Sequence, residues 1–402
     1  MELPSEESAW PLQQLPPEEI DHLRAARIDL LVPIASGHGR REALLALGVK
    51  RSEEPYAGED QDLLTAIAAS LALLLDKSVA TVPPRVSQGF EECAQCGACY
   101  DVGAASCAKD GSTLTPTSLP RLLAGRYRLE RQLGRGGMGT VYEATDGALG
   151  RRVAVKLMRE DLVGKADAAQ RFRREAQVAA SFAHPNVVTV FDFGVEGGHA
   201  FLVMELLDGT TLREEIRSHG KLVPVRTVEI MRGVCAAVDA AHHRHLIHRD
   251  LKPENVFLAR AQTGEIPKVL DFGLAKFLQT AAAAVSNACT ASGVETGAGV
   301  LLGTLQYMAP EQLAGGTPQP AWDLWALAVL AYEMLTGTHP FDSARPDWHR
   351  GLLAGSFTPI TVYLPDSPPT WTELFARALA LDPKHRPDSA HLFFLELQRA
   401  LV

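Results

Sequence analysis

The stretch His248-Arg249-Asp250-Leu251-Lys252-Pro253-Glu254-Asn255 decides the fold. It places a carboxylate, an ammonium group and a carboxamide close together in the chain, at Asp250, Lys252 and Asn255. A second carboxylate follows downstream in Asp271-Phe272-Gly273. The order and the spacing of these side chains indicate one loop system that gathers a base, a cation and oxygen ligands.

Two motifs upstream fit the same site. The loop Gly134–Gly139 reads G-x-G-x-x-G, and glycines let backbone N–H groups approach phosphates closely. Taken alone, this loop is a weak signal, because a glycine hairpin without a ligand has the same pattern. Val153-Ala154-Val155-Lys156 then sets a lysine between apolar strand residues, from which its ammonium group would point into a cleft. That cation needs an anionic partner, for which Glu175 on a predicted helix is the candidate.

The chemistry that unites these motifs is phosphoryl transfer to a hydroxyl group. Such a transfer needs a base for the hydroxyl proton, a cation near the γ-phosphate and oxygen ligands for Mg²⁺. Asp250, Lys252 and Asn255 offer one group for each task, and Asp271 can reach the phosphates through Mg²⁺. Gly303-Thr304 and Ala309-Pro310-Glu311 close the segment in the order that a kinase signature has.

On these residues the chain resembles a eukaryotic-type serine/threonine protein kinase of the bacterial branch, and the resemblance covers about two-thirds of the sequence. It implies ATP and Mg²⁺ as cofactors and proteins with serine or threonine hydroxyls as substrates. It implies catalytic roles for Asp250, Lys252, Lys156 and Glu175, and Mg²⁺ binding by Asn255 and Asp271. It further implies nucleotide contacts from the glycine loop, the lysine strand, a gatekeeper Met204, a hinge and the catalytic loop: Leu133, Gly134, Gly136, Gly137, Gly139, Val141, Ala154, Lys156, Met204, Glu205, Leu207, Asn255, Leu258 and Asp271. By the same resemblance Asp323 braces the catalytic loop, and Glu311 forms a buried ion pair with Arg386.

The expected fold class is α+β, because strand-like runs come first and longer helical runs follow after about Leu212. The resemblance makes this a bilobal kinase fold with a β-rich N-lobe and a helical C-lobe. The predicted organisation is a partial GAF-like segment (1–78), a linker (79–89), a zinc-ribbon-like module (90–112), a second linker (113–125) and a kinase domain (126–400). Within the last, an activation segment (271–311) carries a low-complexity insertion (280–299).

Four cysteines crowd into the predicted module, at Cys93, Cys96, Cys99 and Cys107. Their spacing is typical of a zinc site in a reducing compartment, and four thiolates are enough to close a tetrahedral structural site. The first pair, followed by glycine, has the shape of a zinc knuckle, and Cys107-Ala-Lys-Asp-Gly resembles half of a second one. The alternative is a set of free thiols.

The amino-terminal segment resembles the second half of a GAF sensor domain. The resemblance lies in the strand-like runs Ile28–Ile34 and Glu42–Val49 and in the helical spacing of Glu59–Lys77. The earlier helix and strands of such a domain are missing, which favours a dimerising helix with two strands and no ligand. A homodimer could form through this helix or through the kinase lobes.

Composition excludes several other classes. Hydrophobic residues make up 46% of the 402 residues and charged residues 22%, which is the balance of a globular protein. A formal net charge of −9 gives no reason to expect a nucleic-acid or membrane partner. With no apolar run of membrane length and no basic, apolar leader, a cytoplasmic location is expected. The competing functions are a nucleotide-binding pseudokinase scaffold and a sensory protein whose output comes from the amino-terminal third.

Overall fold

A computed structural model gives the architecture. It describes residues 28–35, 41–48, 64, 89–136, 139–159, 173–174, 176–178, 180–196, 199–262, 264–272, 305–341 and 348–402. The chain divides into two compact units, Met1–Val86 and Ser87–Val402. None of the described helices is long and apolar enough to cross a bilayer.

In the first unit the structure describes an antiparallel hairpin of β1 (Ile28–Ala35) and β2 (Arg41–Gly48). These strands coincide, within a residue or two at each end, with the two strand-like runs in the sequence. The helix predicted for Glu59–Lys77 lies outside the described residues except for Leu64, which is helical. The GAF-like assignment therefore stays a prediction.

The second unit begins with a small sheet in the order β4-β3-β5. Its strands are β3 (Phe90–Cys93), β4 (Cys99–Asp101) and β5 (Leu114–Pro116). The six-stranded sheet that follows has the order β10-β11-β9-β8-β7-β6, with every neighbouring pair antiparallel. Its strands are β6 (Leu122–Leu123), β7 (Tyr127–Gly136), β8 (Gly139–Asp146), β9 (Arg151–Met158), β10 (Val190–Glu196) and β11 (His199–Glu205).

The segment 113–125, predicted as a linker, contains two of these strands. β5 pairs with β3 of the small sheet, and β6 pairs with β7 of the large one. Strands of two or three residues carry little periodic signal in a sequence, and their partners decide whether they form. The small sheet and the large sheet therefore belong to one compact unit rather than to two domains joined by a linker.

The described residues from Gly209 onward form the helical C-lobe. It includes a three-stranded sheet of β12 (Gly209–Thr211), β13 (Val256–Ala261) and β14 (Gly264–Val269). The described helices are α1 (Leu212–His219), α2 (Pro224–His242), α3 (Pro310–Leu313), α4 (Ala321–Thr336), α5 (Trp348–Leu353), α6 (Pro369–Ala378) and α7 (Ala390–Leu401). Within the described residues, short 3₁₀ turns lie at Pro253–Asn255, Ile360–Val362 and Pro383–His385.

Helix α4 is the centre of the C-lobe core. From Trp322 to Thr336 all of its residues are buried, which agrees with a sequence that is apolar on every side of the helix. It ends at Gly337 in a left-handed conformation (φ 72°), where a Cβ atom would lie 2.1 Å from the carbonyl oxygen of Gly220. A rigid, buried helix is a suitable support for the loops of a functional site.

Helix α1 begins directly after β12, and a capping box fixes its start. The Thr211 hydroxyl accepts a hydrogen bond from the Glu214 backbone N–H (3.2 Å), and the Glu214 carboxylate accepts one from the Thr211 N–H (2.8 Å). Each bond satisfies a donor that the first helical turn leaves unpaired.

We expect Thr211→Ala to lower the free energy of unfolding by about 1 kcal/mol, the usual cost of losing a side-chain cap. Urea unfolding followed by circular dichroism measures this loss. Thr211→Ser keeps the hydroxyl and should retain most of the stability, and Thr317→Ala, at an exposed position outside the helices, serves as the control. A loss equal to that of the control would contradict the capping role.

Candidate active site

The glycine loop forms the tip of a hairpin between β7 and β8, where Gly136 pairs with Gly139. Gly139 has a φ of +151°, and a Cβ atom there would lie 1.9 Å from the carbonyl oxygen of Leu157, so only glycine fits. A Cβ atom on Gly134 or Gly136 would meet nothing within 4 Å, which leaves their backbone open to a ligand. Gly137 lies outside the described residues.

Lys156 lies on β9, between strands β8 and β11 of the large sheet. It pairs with Val141 on one side and with Leu202 on the other, and only 8% of its surface is exposed. Its Nζ lies 2.6 Å from Oδ2 of Asp271, with which it forms an ion pair. The structure thus brings the predicted phosphate-binding lysine and the predicted metal-binding aspartate together. Glu175, the predicted partner of Lys156, lies outside the described residues.

Asp271 follows β14 and has a left-handed backbone conformation with a φ of 61°. Burial acts to raise the pKa of its carboxyl group, but the charge and the hydrogen bond of Lys156 outweigh it, with weaker help from His248 and Lys252. The pKa therefore lies below its usual value, and the carboxyl group stays ionised at neutral pH. An ionised carboxylate is the form that binds Mg²⁺.

The next residue, Phe272, anchors this turn to the C-lobe. It is buried, and its ring contacts the rings of His248 (centroids 4.7 Å apart) and Phe182 (5.6 Å) edge-to-face. His248 in turn hydrogen-bonds the Leu270 carbonyl oxygen through Nε2 (2.8 Å). These contacts hold the Asp271 turn against the catalytic loop.

The three polar residues of the catalytic loop contact one another. Lys252 Nζ donates to both carboxylate oxygens of Asp250, at 3.1 and 2.9 Å. The amide nitrogen of Asn255 donates to the backbone carbonyl of Asp250 (2.7 Å) and to its Oδ2 (3.1 Å). With the nitrogen bonded to Asp250, the amide oxygen of Asn255 is directed away from that carboxylate and can bind a cation. The loop therefore offers a base, a cation and an oxygen ligand, with the Lys252 ammonium group and the Asn255 amide nitrogen both bonded to Asp250.

Asp323, near the start of α4, holds the backbone of this loop. Its carboxylate accepts hydrogen bonds from the N–H groups of His248 (2.8 Å) and Arg249 (2.9 Å), and from Nε2 of His242 (2.8 Å). Arg249 has a φ of 69°, a conformation that costs a non-glycine residue about 1–3 kcal/mol unless its surroundings impose it. The bracing role expected for Asp323 matches this geometry.

Glu311 and Arg386 form the buried ion pair that the resemblance implies. The two terminal guanidinium nitrogens of Arg386, Nη1 and Nη2, donate to the Glu311 carboxylate at 2.7 and 2.8 Å. The guanidinium group lies 4.9 Å from the centroid of the Trp325 ring. The neighbouring Gln312 donates to the Arg249 carbonyl oxygen (2.9 Å), so this pair also borders the catalytic loop.

The apolar residues expected to contact the nucleotide lie in two separate cores, except for one that is exposed. Val141, Ala154, Met204 and Leu207 belong to one apolar cluster of the N-lobe. Leu133 is 41% exposed on β7, whereas Leu258 is fully buried in the C-lobe core.

Glu205, at the hinge, has structural partners of its own. Its side chain accepts hydrogen bonds from Lys268 Nζ (2.6 Å) and from the Thr189 N–H (2.7 Å). The Glu205 N–H also donates to the Thr189 carbonyl oxygen (2.9 Å), so both the side chain and the backbone N–H of Glu205 fix the hinge.

The sequence did not reveal a buried network around Arg213. Its guanidinium group donates to Glu333 (2.6 Å) and to the Tyr307 hydroxyl (2.5 Å), and that hydroxyl donates to the other oxygen of Glu333 (2.5 Å). Burial and the charge of Glu333 raise the pKa of Tyr307 well above its usual value, so it remains a neutral donor. The one available signal was Glu333 itself, a charge in an otherwise apolar helix, which needs a partner.

Three of the four predicted zinc ligands come together. The Sγ atoms of Cys93, Cys96 and Cys107 and a carboxylate oxygen of Asp110 all lie within 4.8 Å of one another. Cys99 lies outside this group, because its side chain is buried in the core of the large sheet and its Sγ contacts the Gly97 carbonyl oxygen at 3.6 Å. The structure thus places Asp110, not Cys99, beside the other three cysteines.

The second unit has a strand-rich lobe and a helical lobe. Lys156 and Asp271 form an ion pair, and a loop nearby carries Asp250. This arrangement is that of a protein kinase domain. The model of the protein kinase domain family matches residues 127–394, and the chain belongs to this family.

Relatives and solved structures agree with this assignment. The chain is 39% identical over 285 residues to the serine/threonine-protein kinase pkn2 of Myxococcus xanthus, covering 69% of this chain and 32% of that protein. It is 37% identical over 271 residues to the serine/threonine-protein kinase PrkC of Bacillus subtilis, covering 67% of this chain and 39% of that protein. The crystal structure of the PknI kinase domain of Mycobacterium tuberculosis is similar, with a TM-score of 0.54, 25% identity and coverage of 70% of this chain and 99% of that one. The chain thus spans well under half the length of these two curated relatives.

Proposed function

We propose that the chain is an ATP-dependent serine/threonine protein kinase, which transfers the γ-phosphate of ATP to serine or threonine hydroxyls of proteins. The observation that carries the proposal is the 2.6 Å ion pair between Lys156 and Asp271, formed beside a catalytic loop with Asp250, Lys252 and Asn255 in mutual contact. The two relatives, both serine/threonine-protein kinases by name, support the choice of serine and threonine.

Each residue of the site would have a separate task. Asp250 would orient the substrate hydroxyl and accept its proton as the oxygen–phosphorus bond forms, while the bond from the γ-phosphorus to the ADP oxygen breaks. Lys252 would lie close to the transferred group, and Lys156 would hold the α- and β-phosphates through its ammonium group. The oxygen atoms of Asn255 and Asp271 suit Mg²⁺, which when bound would offset the phosphate charge.

A transfer assay tests this proposal. With ATP, Mg²⁺ and a generic basic protein, we expect phosphate on serine and threonine of the substrate, and we expect excess EDTA to abolish the transfer because Mg²⁺ is removed. Phosphoamino-acid analysis measures the product, and a substrate whose only hydroxyl side chains are tyrosines is the control.

Two outcomes would contradict the proposal. Phosphate on tyrosine alone would reject the substrate class. Mg²⁺-dependent ATP binding in a calorimeter, with no transfer to any substrate or to the chain itself, would favour the pseudokinase scaffold.

Further proposals concern the remainder of the chain. We propose a structural role for the zinc that the cysteine spacing predicts, since none of the four cysteines is among the residues around Lys156, Asp250 and Asp271. For residues 1–78 we propose the GAF-like segment, with a dimerising role rather than a ligand. A homodimer through this segment or through the kinase lobes, a place in bacterial signal transduction and a cytoplasmic location are proposals on the same footing.

A further inference from the structure

Two turns near the start of the second unit have the same construction. The first runs Cys93-Ala-Gln-Cys-Gly-Ala and the second Cys107-Ala-Lys-Asp-Gly-Ser. In each turn the glycine N–H donates to the carbonyl oxygen of the leading cysteine at 2.8 Å, and the N–H of that cysteine donates to the carbonyl of the last residue at 2.9 Å. Gly97 and Gly111 have φ values of 72° and 73°. The turns are therefore equivalent, and Asp110 occupies in the second turn the position that Cys96 occupies in the first.

The side chains of the two turns face each other at distances that suit a metal ion. Cys96 Sγ lies 3.5 Å from Cys107 Sγ, and Cys93 Sγ lies 3.4 Å from Oδ2 of Asp110. Zinc binds sulfur at about 2.3 Å and carboxylate oxygen at about 2.0–2.2 Å, which places tetrahedral ligand atoms about 3.6–3.8 Å apart. The four side chains are thus nearly in the positions that one tetrahedral ion would require.

From these observations we infer that Cys93, Cys96, Cys107 and Asp110 together bind one zinc ion, with three thiolates and one carboxylate, and that Cys99 is not a ligand. The inference rests on the proposal that the segment holds structural zinc and does not depend on phosphoryl transfer. The carboxylate completes the set because it is the only oxygen or sulfur donor that the second turn offers at the required position.

The neighbours of the ligands also fit this assignment. The Tyr100 hydroxyl lies 3.2 Å from Cys107 Sγ, and the Ser112 N–H donates to Oδ1 of Asp110 at 3.0 Å. Cys93 and Cys107 are buried, whereas Asp110 is exposed at the open side of the group. Hydrogen bonds of this kind orient metal ligands in proteins.

The zinc site contacts the strand that leads into the glycine loop. The Gln132 N–H donates to the Gly97 carbonyl oxygen at 2.7 Å, and Ala98 forms a bridge with Arg131 on β7. A Cβ atom on Gly97 would lie 2.6 Å from the carbonyl oxygen of Gln132, so the turn packs directly on β7. Because Gln132 precedes Gly134 by two positions, the ion stabilises the N-lobe where the glycine loop begins.

The test uses the full chain, purified without chelators, with zinc content measured by mass spectrometry and zinc affinity by competition with a chromogenic chelator. We expect one zinc ion per wild-type chain. Asp110→Ala should weaken zinc binding by at least about 10-fold, since the loss of a group that only orients a ligand already costs about 10- to 100-fold. Asp110→Cys replaces the carboxylate with a fourth thiolate and should retain the zinc ion. Cys99→Ser should also retain it.

Because Cys99 is buried, Cys99→Ala provides a second control if the serine variant does not fold. The absence of zinc and other divalent metals from wild-type protein, even after zinc is added, would overturn the site. Loss of zinc in the folded Cys99 variant, with full retention in Asp110→Ala, would overturn the ligand set and leave structural zinc intact. Lack of phosphoryl transfer by zinc-loaded protein would instead contradict the kinase proposal and leave the metal site standing.

Discussion

Replacing Asp250 with alanine is expected to lower the rate of phosphoryl transfer by about 10²–10⁴-fold, the usual contribution of a general base. The Asp250 carboxylate is held in place by Lys252 and Asn255, which donate to it at 2.9 and 3.1 Å. No other carboxylate of the loop 248–255 is so placed, because Glu254 forms an ion pair with Arg213. Initial rates with labelled ATP and a protein substrate measure the effect.

Asp250→Asn is the second variant, because it keeps the shape of the side chain and removes most of its basicity. Both variants should still bind Mg²⁺ and ATP, since Lys156 and Asp271 are intact. Asp366→Ala, a change of the same kind at an exposed position, is the control and should leave the rate unchanged. Equal rates for wild type and Asp250→Ala would remove Asp250 from the mechanism.

Replacing Glu311 with alanine is expected to lower the free energy of unfolding by about 3 kcal/mol, because it leaves a buried guanidinium group without its counter-ion. The Arg386 side chain is fully buried, and Glu311 keeps 20% of its side-chain surface exposed. Because Glu311 is partly exposed, the expected loss lies at the lower end of the about 3–5 kcal/mol that breaking a buried ion pair costs. Urea unfolding of the C-lobe, followed by tryptophan fluorescence, measures it.

The matched control is Glu396→Ala. Glu396 pairs with Arg377 at 2.7 Å, but the Arg377 side chain is 51% exposed, and such surface pairs contribute under about 1 kcal/mol. The two variants lose the same side chain from the same kind of pair and differ in burial. If both lose the same stability, the ion pair of Glu311 and Arg386 does not hold the C-lobe together.

Much of the kinase site could be predicted because its residues occur in short motifs with fixed spacing. The loop from His248 to Asn255 positions its own polar groups by local geometry, so sequence distance predicts contact. Lys156 and Asp271 lie far apart in the chain, and the resemblance assigned both to the nucleotide site but gave Glu175, not Asp271, as the partner of Lys156. The contacts of Asp323 and of the pair of Glu311 and Arg386 did follow from the resemblance, and the structure shows them.

Other features depend on tertiary contacts that a sequence does not display. Strands β5 and β6 fell within a predicted linker, because a strand of two or three residues forms only when a partner strand is present. The sequence shows Cys107-Ala-Lys-Asp-Gly as half of a second knuckle, but only the fold places the Asp110 carboxylate beside Cys93. The network of Arg213, Tyr307 and Glu333 joins three distant segments. In the sequence its only sign is Glu333, a single charged residue in an otherwise apolar helix.

The two hydrogen bonds from the backbone of His248 and Arg249 to Asp323 make the catalytic loop and helix α4 a single unit for protein engineering. One carboxylate determines the backbone path at both His248 and Arg249, so no change at either residue alone can compensate for its loss. A transplant of residues 248–255 into another scaffold would therefore have to bring the helix Ala321–Thr336 with it. For the same reason, substitutions that shift this hydrophobic helix would also shift the catalytic loop, although they replace none of the polar residues of the loop.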